Sequence, residues 1–231
     1  MILCAAAACR AKGDTSYIEK HFDVLSGWAD YLVKFGFDPE NQLCTDDFAG
    51  HLAHNANLSV KAIMGIAAWG MILGMMNRNE ESEKYLSIAK KLAADWKNTA
   101  SEGDHYRLAF DKKDSWSIKY NLVWDKLFGL NIFDEDIFTD EVNYYMTKIN
   151  KYGLPLDSRS DYTKSDWQMW STVLCDNKEY TDAIVSAMLR MLAETPDLVP
   201  FTDWYYSSTA IQRGFQNRTV QGGLFINMLK F

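Results

Sequence analysis

Three short segments of the sequence place a hydroxyl-bearing residue, an aspartate and an aromatic residue in close succession. They are Thr45-Asp46-Asp47-Phe48, Ser165-Asp166-Trp167 and Thr202-Asp203-Trp204. Two carboxylates that face each other across a cavity can catalyse hydrolysis, because one holds a proton while the other activates water. Each segment also suits the start of a helix, since Ser, Thr and Asp are preferred N-cap residues. The aspartates predicted to be catalytic are Asp46, Asp47, Asp125, Asp166 and Asp203.

A second group of residues has side chains suited to holding a polar substrate. Arginine can grip a substrate carboxylate through two parallel hydrogen bonds, and a structural ion pair is its alternative role. Asparagine amides can donate hydrogen bonds to an oxyanion, and aromatic rings can form the walls of a pocket. The residues predicted to bind substrate are His51, Asn55, Asn121, Tyr152, Asp157, Arg159, Trp167, Trp204 and Arg218.

Histidine and cysteine spacing gives little indication of a metal or redox centre. The 4 cysteines form neither a Cys-x-x-Cys pair nor regular metal-ligand spacing, so we expect small buried apolar residues. His51 and His54 lie three residues apart near Asp46, a spacing that would hold a metal if the segment were helical. A histidine hydrogen-bonded to an aspartate is the commoner arrangement. We therefore predict no metal and no cofactor.

Length and charge restrict the class of partner. The 231 residues carry a formal net charge of -7, and the basic residues are scattered. Nucleic acids and anionic membranes attract basic surfaces, so neither is predicted as a partner. The 8 Trp and 12 Tyr, many of them beside Asp or Ser, suit a pocket for a small polar substrate. We predict a single helical domain over residues 1–231.

Helical periodicity predicts alternating buried and surface helices. After a polar loop, the segment from Leu58 to Gly70 offers only Ser59 and Lys61 as polar side chains, so it is predicted to be a buried helix. Further helices are predicted over residues 16–35, 80–99, 118–130, 135–149, 164–174, 178–194 and 217–229, with aromatic loops at 150–162 and 199–215. Inner helices of such an alternation run in the same sense, so their starts gather at one end. The pattern predicts an all-α fold, an (α/α) toroid with negligible sheet.

Five motifs are distributed along the chain from residue 42 to residue 223. They are QLCTDDFAGH at 42–51, YNLVWDK at 120–126, YGLPLDSR at 152–159, KSDW at 164–167 and GFQNRTVQGG at 214–223. Together these motifs resemble the glutaminase A family. The resemblance implies a six-hairpin glycosidase-like domain, and the predicted helices are too few for a full ring. The chain therefore resembles the C-terminal part of a longer family member, with an incomplete toroid.

The resemblance also implies a function and a compartment. The reaction would be hydrolysis of L-glutamine to L-glutamate and ammonia, and the parent protein would be secreted or periplasmic. A glycoside hydrolase of the six-hairpin type, whose substrate would be a sugar, is one alternative. A non-catalytic domain that binds carbohydrate or a partner protein is another.

Two expectations concern placement. The topology predicts one cavity lined by Asp46, Asp47, Asp125, Asp166, Asp203, His51, Trp167 and Trp204. The apolar stretch at residues 1–9 begins a helix without a cap and lacks the basic start of a signal peptide. It is predicted to leave an exposed apolar edge through which a homodimer forms.

Overall fold

The structure, a computed structural model, describes residues 1–40 and 46–229, except for the side chain of Asp47. Helices dominate these ranges. The α-helices are α1 (Ile2–Lys12), α2 (Ser16–Lys20), α3 (Phe22–Phe35), α4 (Ala56–Met75), α5 (Asn79–Ala100), α6 (Val123–Phe128), α7 (Glu135–Met146), α8 (Ser165–Ser171) and α9 (Lys178–Glu194). Short 3₁₀ helices span Asp47–Ala49, Tyr120–Leu122 and Thr219–Met228. The strands are β1 (Tyr162–Lys164), β2 (Thr202–Tyr206) and β3 (Gln212–Gln216).

The central helix of the fold is α4. Its N-cap is Asn55, whose side-chain oxygen accepts a hydrogen bond of 2.7 Å from the backbone N–H of Leu58. It packs against α1, α3 and α5, and almost every side chain from Ala56 to Leu73 is buried. The prediction of a helix buried on most sides is confirmed, and the helix spans Ala56–Met75. Among the described residues α4 is also the one helix long and apolar enough to cross a membrane. Its most apolar 18-residue stretch is nevertheless 72% buried inside the protein, as in a core helix.

The first three helices leave one face uncovered. The single helix predicted over residues 16–35 is two helices, α2 and α3, because the backbone at His21 departs from helical geometry (φ -122°, ψ 20°). An exposed apolar edge lies on α2 and α3, whereas the segment predicted to leave such an edge, residues 1–9, buries Ile2, Leu3, Ala6 and Cys9. This apolar edge consists of Tyr17, Val24, Trp28, Tyr31 and Phe35.

Outer helices cover the buried ones. The amphipathic helix α5 turns Tyr85, Ala89 and Trp96 inward and packs along α4. In the same way α9 packs against α8 and buries Tyr180 and Ile184. The predicted alternation of buried and surface helices is confirmed for these two pairs.

A small antiparallel sheet replaces the aromatic loop predicted at 199–215. Its strand order is β1-β2-β3, and Lys164 of β1 pairs with Trp204 of β2, which in turn pairs with Gly214 of β3. The prediction that Thr202-Asp203-Trp204 lies near a helix start is therefore wrong, because these residues lie inside β2. The aromatic run that follows Asp203 is typical of a strand, and this propensity outweighs the capping preference of Thr and Asp.

The C-terminal segment also differs from its prediction. An α-helix was expected over residues 217–229, and the structure has a 3₁₀ helix at Thr219–Met228 with a kink at Phe225. The adjacent glycines Gly222 and Gly223 disfavour an α-helix, and the segment packs closely on α8. Apart from the three short strands, the predicted all-α class is confirmed for the described residues.

Candidate active site

A cavity of about 450 Å³ lies where α8 meets the sheet and the C-terminal 3₁₀ helix. We call it the aromatic cavity. Its lining residues are Phe48, Lys164, Asp166, Trp167, Trp170, Phe215, Arg218, Thr219, Val220, Gly222 and Gly223. Its volume falls within the range of small-molecule sites, and its lining combines aromatic rings with a few charged groups.

Asp166 is the carboxyl group in the lining of the aromatic cavity. It is the second residue of α8 and is 5% exposed. One oxygen, Oδ1, lies 3.6 Å from Nζ of Lys164. Burial raises the pKa of Asp166 because it penalises the charged form, the nearby Lys164 opposes this rise, and Asp203 adds to it. A carboxyl group with a raised pKa is suited to accept and return a proton during a reaction.

Lys164 places a buried positive charge at the same cavity. It ends β1, immediately before α8, and its side chain is 2% exposed. The ammonium forms an ion pair with Asp203 and lies 4.9 Å from the ring centre of Trp167, 5.4 Å from Phe215 and 5.8 Å from Phe48. Ring faces and a carboxylate both stabilise a cation, so the ammonium is held in a fixed position.

Asp203 joins two cations at the base of the cavity. Its side chain is fully buried, and it accepts hydrogen bonds from Arg218 Nε at 3.2 Å and Nη2 at 2.7 Å. It also pairs with Lys164. The Arg218 guanidinium stacks on Phe215 at 3.9 Å and is 38% exposed, so it reaches the cavity. This arrangement makes Asp203 an anchor for the two cations.

The aromatic rings that line the cavity pack against rings outside its lining, among them Trp204 and Tyr120. Phe48 contacts Trp204 with ring centres 4.7 Å apart and Trp167 at 6.0 Å. Trp167 stacks on Tyr120 at 4.2 Å with nearly parallel rings, and Trp204 stacks on Phe215 at 4.9 Å. Each ring therefore has its orientation fixed by a neighbour, which gives the cavity a defined shape.

Asp46, Asp157 and Arg159 form an ion cluster next to the cavity. Arg159 Nη2 lies 2.8 Å from Asp46 and 2.6 Å from Asp157, and both carboxylates are buried. The Tyr120 hydroxyl lies 3.4 Å from Asp46, while the Tyr120 ring stacks on Trp167. These three residues are therefore near the site but outside its lining, and in this arrangement they fix the wall on which Trp167 rests.

Asp125 does not line the cavity, so the placement predicted for it is wrong. Its buried carboxylate accepts hydrogen bonds from the backbone N–H groups of Ile132 at 3.0 Å and Phe133 at 2.9 Å. Burial raises the pKa of Asp125, and these backbone hydrogen bonds oppose the rise. Asp125 thus connects α6 to the loop before α7. The side chain of Asp47 lies outside the described residues.

Three predicted substrate-binding residues lie away from the cavity lining. Asn55 caps α4, and the Asn121 amide donates a hydrogen bond of 3.2 Å to the backbone oxygen of Asn57. The Tyr152 hydroxyl bonds to Glu194 at 2.9 Å. Each of these side chains joins two segments of the fold, which accounts for its polar character without a ligand.

The two histidines of the possible metal spacing also lie apart from the cavity. His51 is exposed, whereas the Nδ1 atom of His54 bonds to Asp38 at 2.8 Å. This hydrogen bond raises the pKa of His54. In the part of the chain that the structure describes, no group of three His, Cys, Asp or Glu side chains is arranged to hold a metal ion.

Several cavity residues were not predicted from the sequence. They are Phe48, Lys164, Trp170, Phe215, Thr219, Val220, Gly222 and Gly223. Lys164 stands two residues before Asp166, and this pairing of a cation with an acid at a helix start was the available signal. The rings of Phe48 and Phe215 come from opposite parts of the sequence, so no local pattern could indicate that they meet.

Comparison with known proteins adds to this geometry. A family model described as the glutaminase A six helical-hairpin domain matches residues 1–228. The chain is 33% identical to glutaminase A of Aspergillus oryzae in an alignment of 232 positions that covers 97% of this chain. It is 30% identical to a probable glutaminase of Arthroderma benhamiae in an alignment of 218 positions that covers 82% of this chain. It spans 34% and 25% of the lengths of these two relatives.

Proposed function

The chain belongs to the glutaminase A six helical-hairpin domain family, and we propose that its aromatic cavity binds L-glutamine and hydrolyses the side-chain amide to L-glutamate and ammonia. The observation that carries this proposal is the buried carboxyl of Asp166, which lines the cavity and has a raised pKa. A base for amide hydrolysis must be near its pKa at the working pH, and burial moves an aspartate in that direction.

Asp166 would act as a proton shuttle. In its ionised form it takes a proton from water while the water oxygen adds to the amide carbon. It then returns that proton to the amide nitrogen as the carbon–nitrogen bond breaks, so ammonia leaves and a carboxylic acid remains. The new acid loses its proton to ammonia in solution, which balances the reaction.

The two cations at the cavity would stabilise negative charge on the substrate and would not transfer protons. Lys164 lies beside Asp166 and can stabilise the negative charge that develops on the amide oxygen. Arg218 lines the cavity and can pair with the α-carboxylate of the substrate. Asp203 would hold both cations in position through the contacts described above.

Ammonia release from L-glutamine tests the proposal directly. The measurement compares the wild-type chain with D166N, which keeps the size of the side chain and removes its basicity. We expect kcat of D166N to fall about 10²-fold or more, the usual loss for a general base. The exposed D182N substitution on α9 is the control and should leave kcat unchanged. Wild-type protein that releases no ammonia, or D166N with full activity, contradicts the proposal.

Glycoside hydrolysis is the second candidate, and the aromatic lining favours it. Phe48, Trp167 and Trp170 offer ring faces, and glycosidases use a pair of carboxylates on either side of the scissile bond. Here the second carboxylate, Asp203, is engaged in ion pairs with Lys164 and Arg218 and does not line the cavity. A panel of glycans assayed beside glutamine separates the two reactions. Binding of a glycan without turnover of either substrate would indicate a non-catalytic binding domain.

A further inference from the structure

Phe48 reaches the aromatic cavity from a segment far earlier in the sequence than the other residues of the lining. It lies in the short 3₁₀ helix Asp47–Ala49. Besides its contact with Trp204, its ring meets Phe215 and Tyr162, with ring centres 5.8 Å from each. The position of this ring in the cavity therefore depends on what holds its own short segment against the rest of the fold.

Asp46 directly precedes this 3₁₀ helix and carries a buried carboxylate. Its backbone oxygen accepts a hydrogen bond of 2.9 Å from the N–H of Ala49, which joins Asp46 to the turn that contains Phe48. Its side chain is 5% exposed and accepts hydrogen bonds from Arg159 Nη2 at 2.8 Å and from the Tyr120 hydroxyl at 3.4 Å. A short hydrogen bond between two ions is stronger than a long one from a neutral hydroxyl. Arg159 is therefore a strong hold on the segment that carries Phe48.

The guanidinium of Arg159 is itself fixed by Asp157. Its Nε and Nη2 atoms donate to the two Asp157 oxygens at 2.9 and 2.6 Å, and the backbone N–H of Arg159 donates to the same carboxylate at 2.8 Å. The Asp157 side chain is 1% exposed, and the backbone N–H of Ser158 donates to the backbone oxygen of Trp116 at 3.0 Å. A planar guanidinium held by this fork directs its other Nη2 hydrogen at Asp46. Asp46 is thus tied to a fixed point of the fold.

Loss of the Arg159 cation would leave the buried carboxylate of Asp46 without its ion pair. A buried charge that loses its partner is strongly destabilised, and it lowers its free energy by moving toward water. Movement of Asp46 carries Phe48 with it, because the Ala49 hydrogen bond joins these residues in one turn. The Phe48 ring would then withdraw from the cavity and from the Lys164 ammonium, which lies 5.8 Å from the ring centre.

We propose that Arg159 is a positioning residue for the substrate: its ion pair with Asp46 holds Phe48 in the wall of the aromatic cavity, and through that ring it strengthens binding. This inference rests on the proposed function, which supplies the ligand, L-glutamine. Phe48 gives apolar contact to the bound side chain and is one of the rings that keep water from Lys164, so its displacement weakens binding. Arg159 lies outside the lining and touches no substrate, unlike the proposed role of Arg218.

The position of Phe48 can be tested without substrate. An aromatic ring shifts the NMR resonances of nuclei close to it, so in protein labelled with ¹⁵N-tryptophan the Nε1–H resonance of Trp204 reports on the Phe48 ring. F48A gives the shift that complete loss of the ring produces. We expect R159M to move the Trp204 resonance in the same direction as F48A. A Trp204 resonance that is the same in folded R159M as in the wild type overturns the proposal.

Two controls accompany this measurement. R107M breaks the ion pair of Arg107 with Glu102, which is of similar burial and lies outside the cavity lining, so it should leave the Trp204 resonance in place. The exposed Trp28 of α3 should keep its resonance in every variant. If R159M does not fold, R159K replaces it with the same deciding outcomes, because one ammonium cannot pair with both carboxylates in the geometry of the guanidinium.

A double-mutant cycle tests whether Arg159 acts through Phe48. KM for L-glutamine is measured for the wild type, R159M, F48A and the double variant. We expect each single substitution to raise KM about 10-fold, with a smaller change in kcat, as apolar contact to the substrate is lost. The double variant should resemble F48A alone, because two changes that act through one ring do not add. R107M should leave KM unchanged. An equal effect of R159M with and without Phe48 would show that Arg159 acts by another route, and it overturns the proposal.

Failure of the proposed function gives a different result. Wild-type protein that binds L-glutamine in a calorimetric titration without releasing ammonia refutes the proposed catalysis, and the same cycle is then decided on Kd. Wild-type protein that neither binds nor hydrolyses glutamine refutes both proposals.

Discussion

Asp166 controls the pH dependence of the proposed reaction. The base must be ionised, and burial raises its pKa above the usual value of about 3.9, so kcat/KM should rise with pH through a correspondingly higher midpoint. Lys164 lowers the pKa of Asp166, so K164M should move this acidic limb to higher pH. The exposed K178M substitution on α9 is the control. A pH–rate profile for K164M that coincides with that of the wild type would contradict the assignment.

The same raised pKa predicts an effect on stability. A folded-state pKa above the unfolded value means that the native state binds the proton more tightly, so stability is lost as pH rises through the raised pKa. D166N removes the buried charge and should unfold at a temperature about 2–4 °C above the wild type at neutral pH. The difference should shrink as the pH falls below the pKa of Asp166. Thermal denaturation across pH measures it, and a neutral-pH Tm below that of the wild type would show that the ion pair with Lys164 outweighs the burial cost.

Asp125 offers the opposite case, in which an aspartate supports the fold. D125A leaves the backbone N–H groups of Ile132 and Phe133 without their acceptor, so the free energy of unfolding should fall by about 1–3 kcal/mol. Chemical denaturation gives that loss, and ammonia release per folded molecule should match the wild type. A strong fall in the kcat of folded D125A would show that Asp125 takes part in catalysis.

Residue types alone distinguished the aspartates of the candidate site from structural aspartates only in part. The structure brings Asp166, Trp167, Asp203 and Arg218, all of them predicted site residues, close together. The sequence could not separate them from Asp125, since an aspartate that accepts backbone N–H groups has the same local pattern. Only the partners of each carboxylate, which are distant in sequence, make the distinction.

Among the elements, the C-terminal 3₁₀ helix packs closely on α8 through Gly223. G223A puts a carbon within 3.0 Å of both Asp166 and Trp170, so it should lower the free energy of unfolding by about 1–3 kcal/mol. G222A is a matched control, since a Cβ at that position meets nothing within 4 Å. Denaturant titration of the two variants tests the packing, and equal stability of both would contradict it.

Long helices with a regular spacing of apolar residues were predictable from the sequence, and the short elements were not. The helices α4, α5 and α9 follow from apolar spacing over four or more turns, and their bounds differ little from the prediction. The hairpin β2–β3 has only five residues in each strand, and its aromatic alternation was read as a loop. The pairing of β1 with β2 joins residues about forty positions apart, and a pattern read from neighbouring residues cannot predict such a pairing.

At the scale of the whole molecule, the apolar edge is the feature with a measurable consequence. Tyr17 and Tyr31 are each 57% exposed, and two grooves of about 400 and 360 Å³ open beside Trp28. We propose that a second copy of the chain covers this face, so the chain should self-associate as its concentration rises. The double substitution W28E/Y31E should prevent association, whereas L189E, at another exposed apolar position, should not. Sedimentation velocity decides, and a monomer at high concentration contradicts the proposal.

The apolar core helix α4 also has a consequence for the synthesis of the chain. Until Asn79–Ala100 has left the ribosome, Ala56–Met75 lacks the helix that covers much of its surface, and it presents 20 consecutive, largely apolar residues. Membrane-insertion machinery recognises such a segment by its length and hydropathy, whatever place the finished helix takes in the fold. A cell that moves this chain across a bilayer must therefore keep Ala56–Met75 from stopping in the membrane until its neighbours are complete.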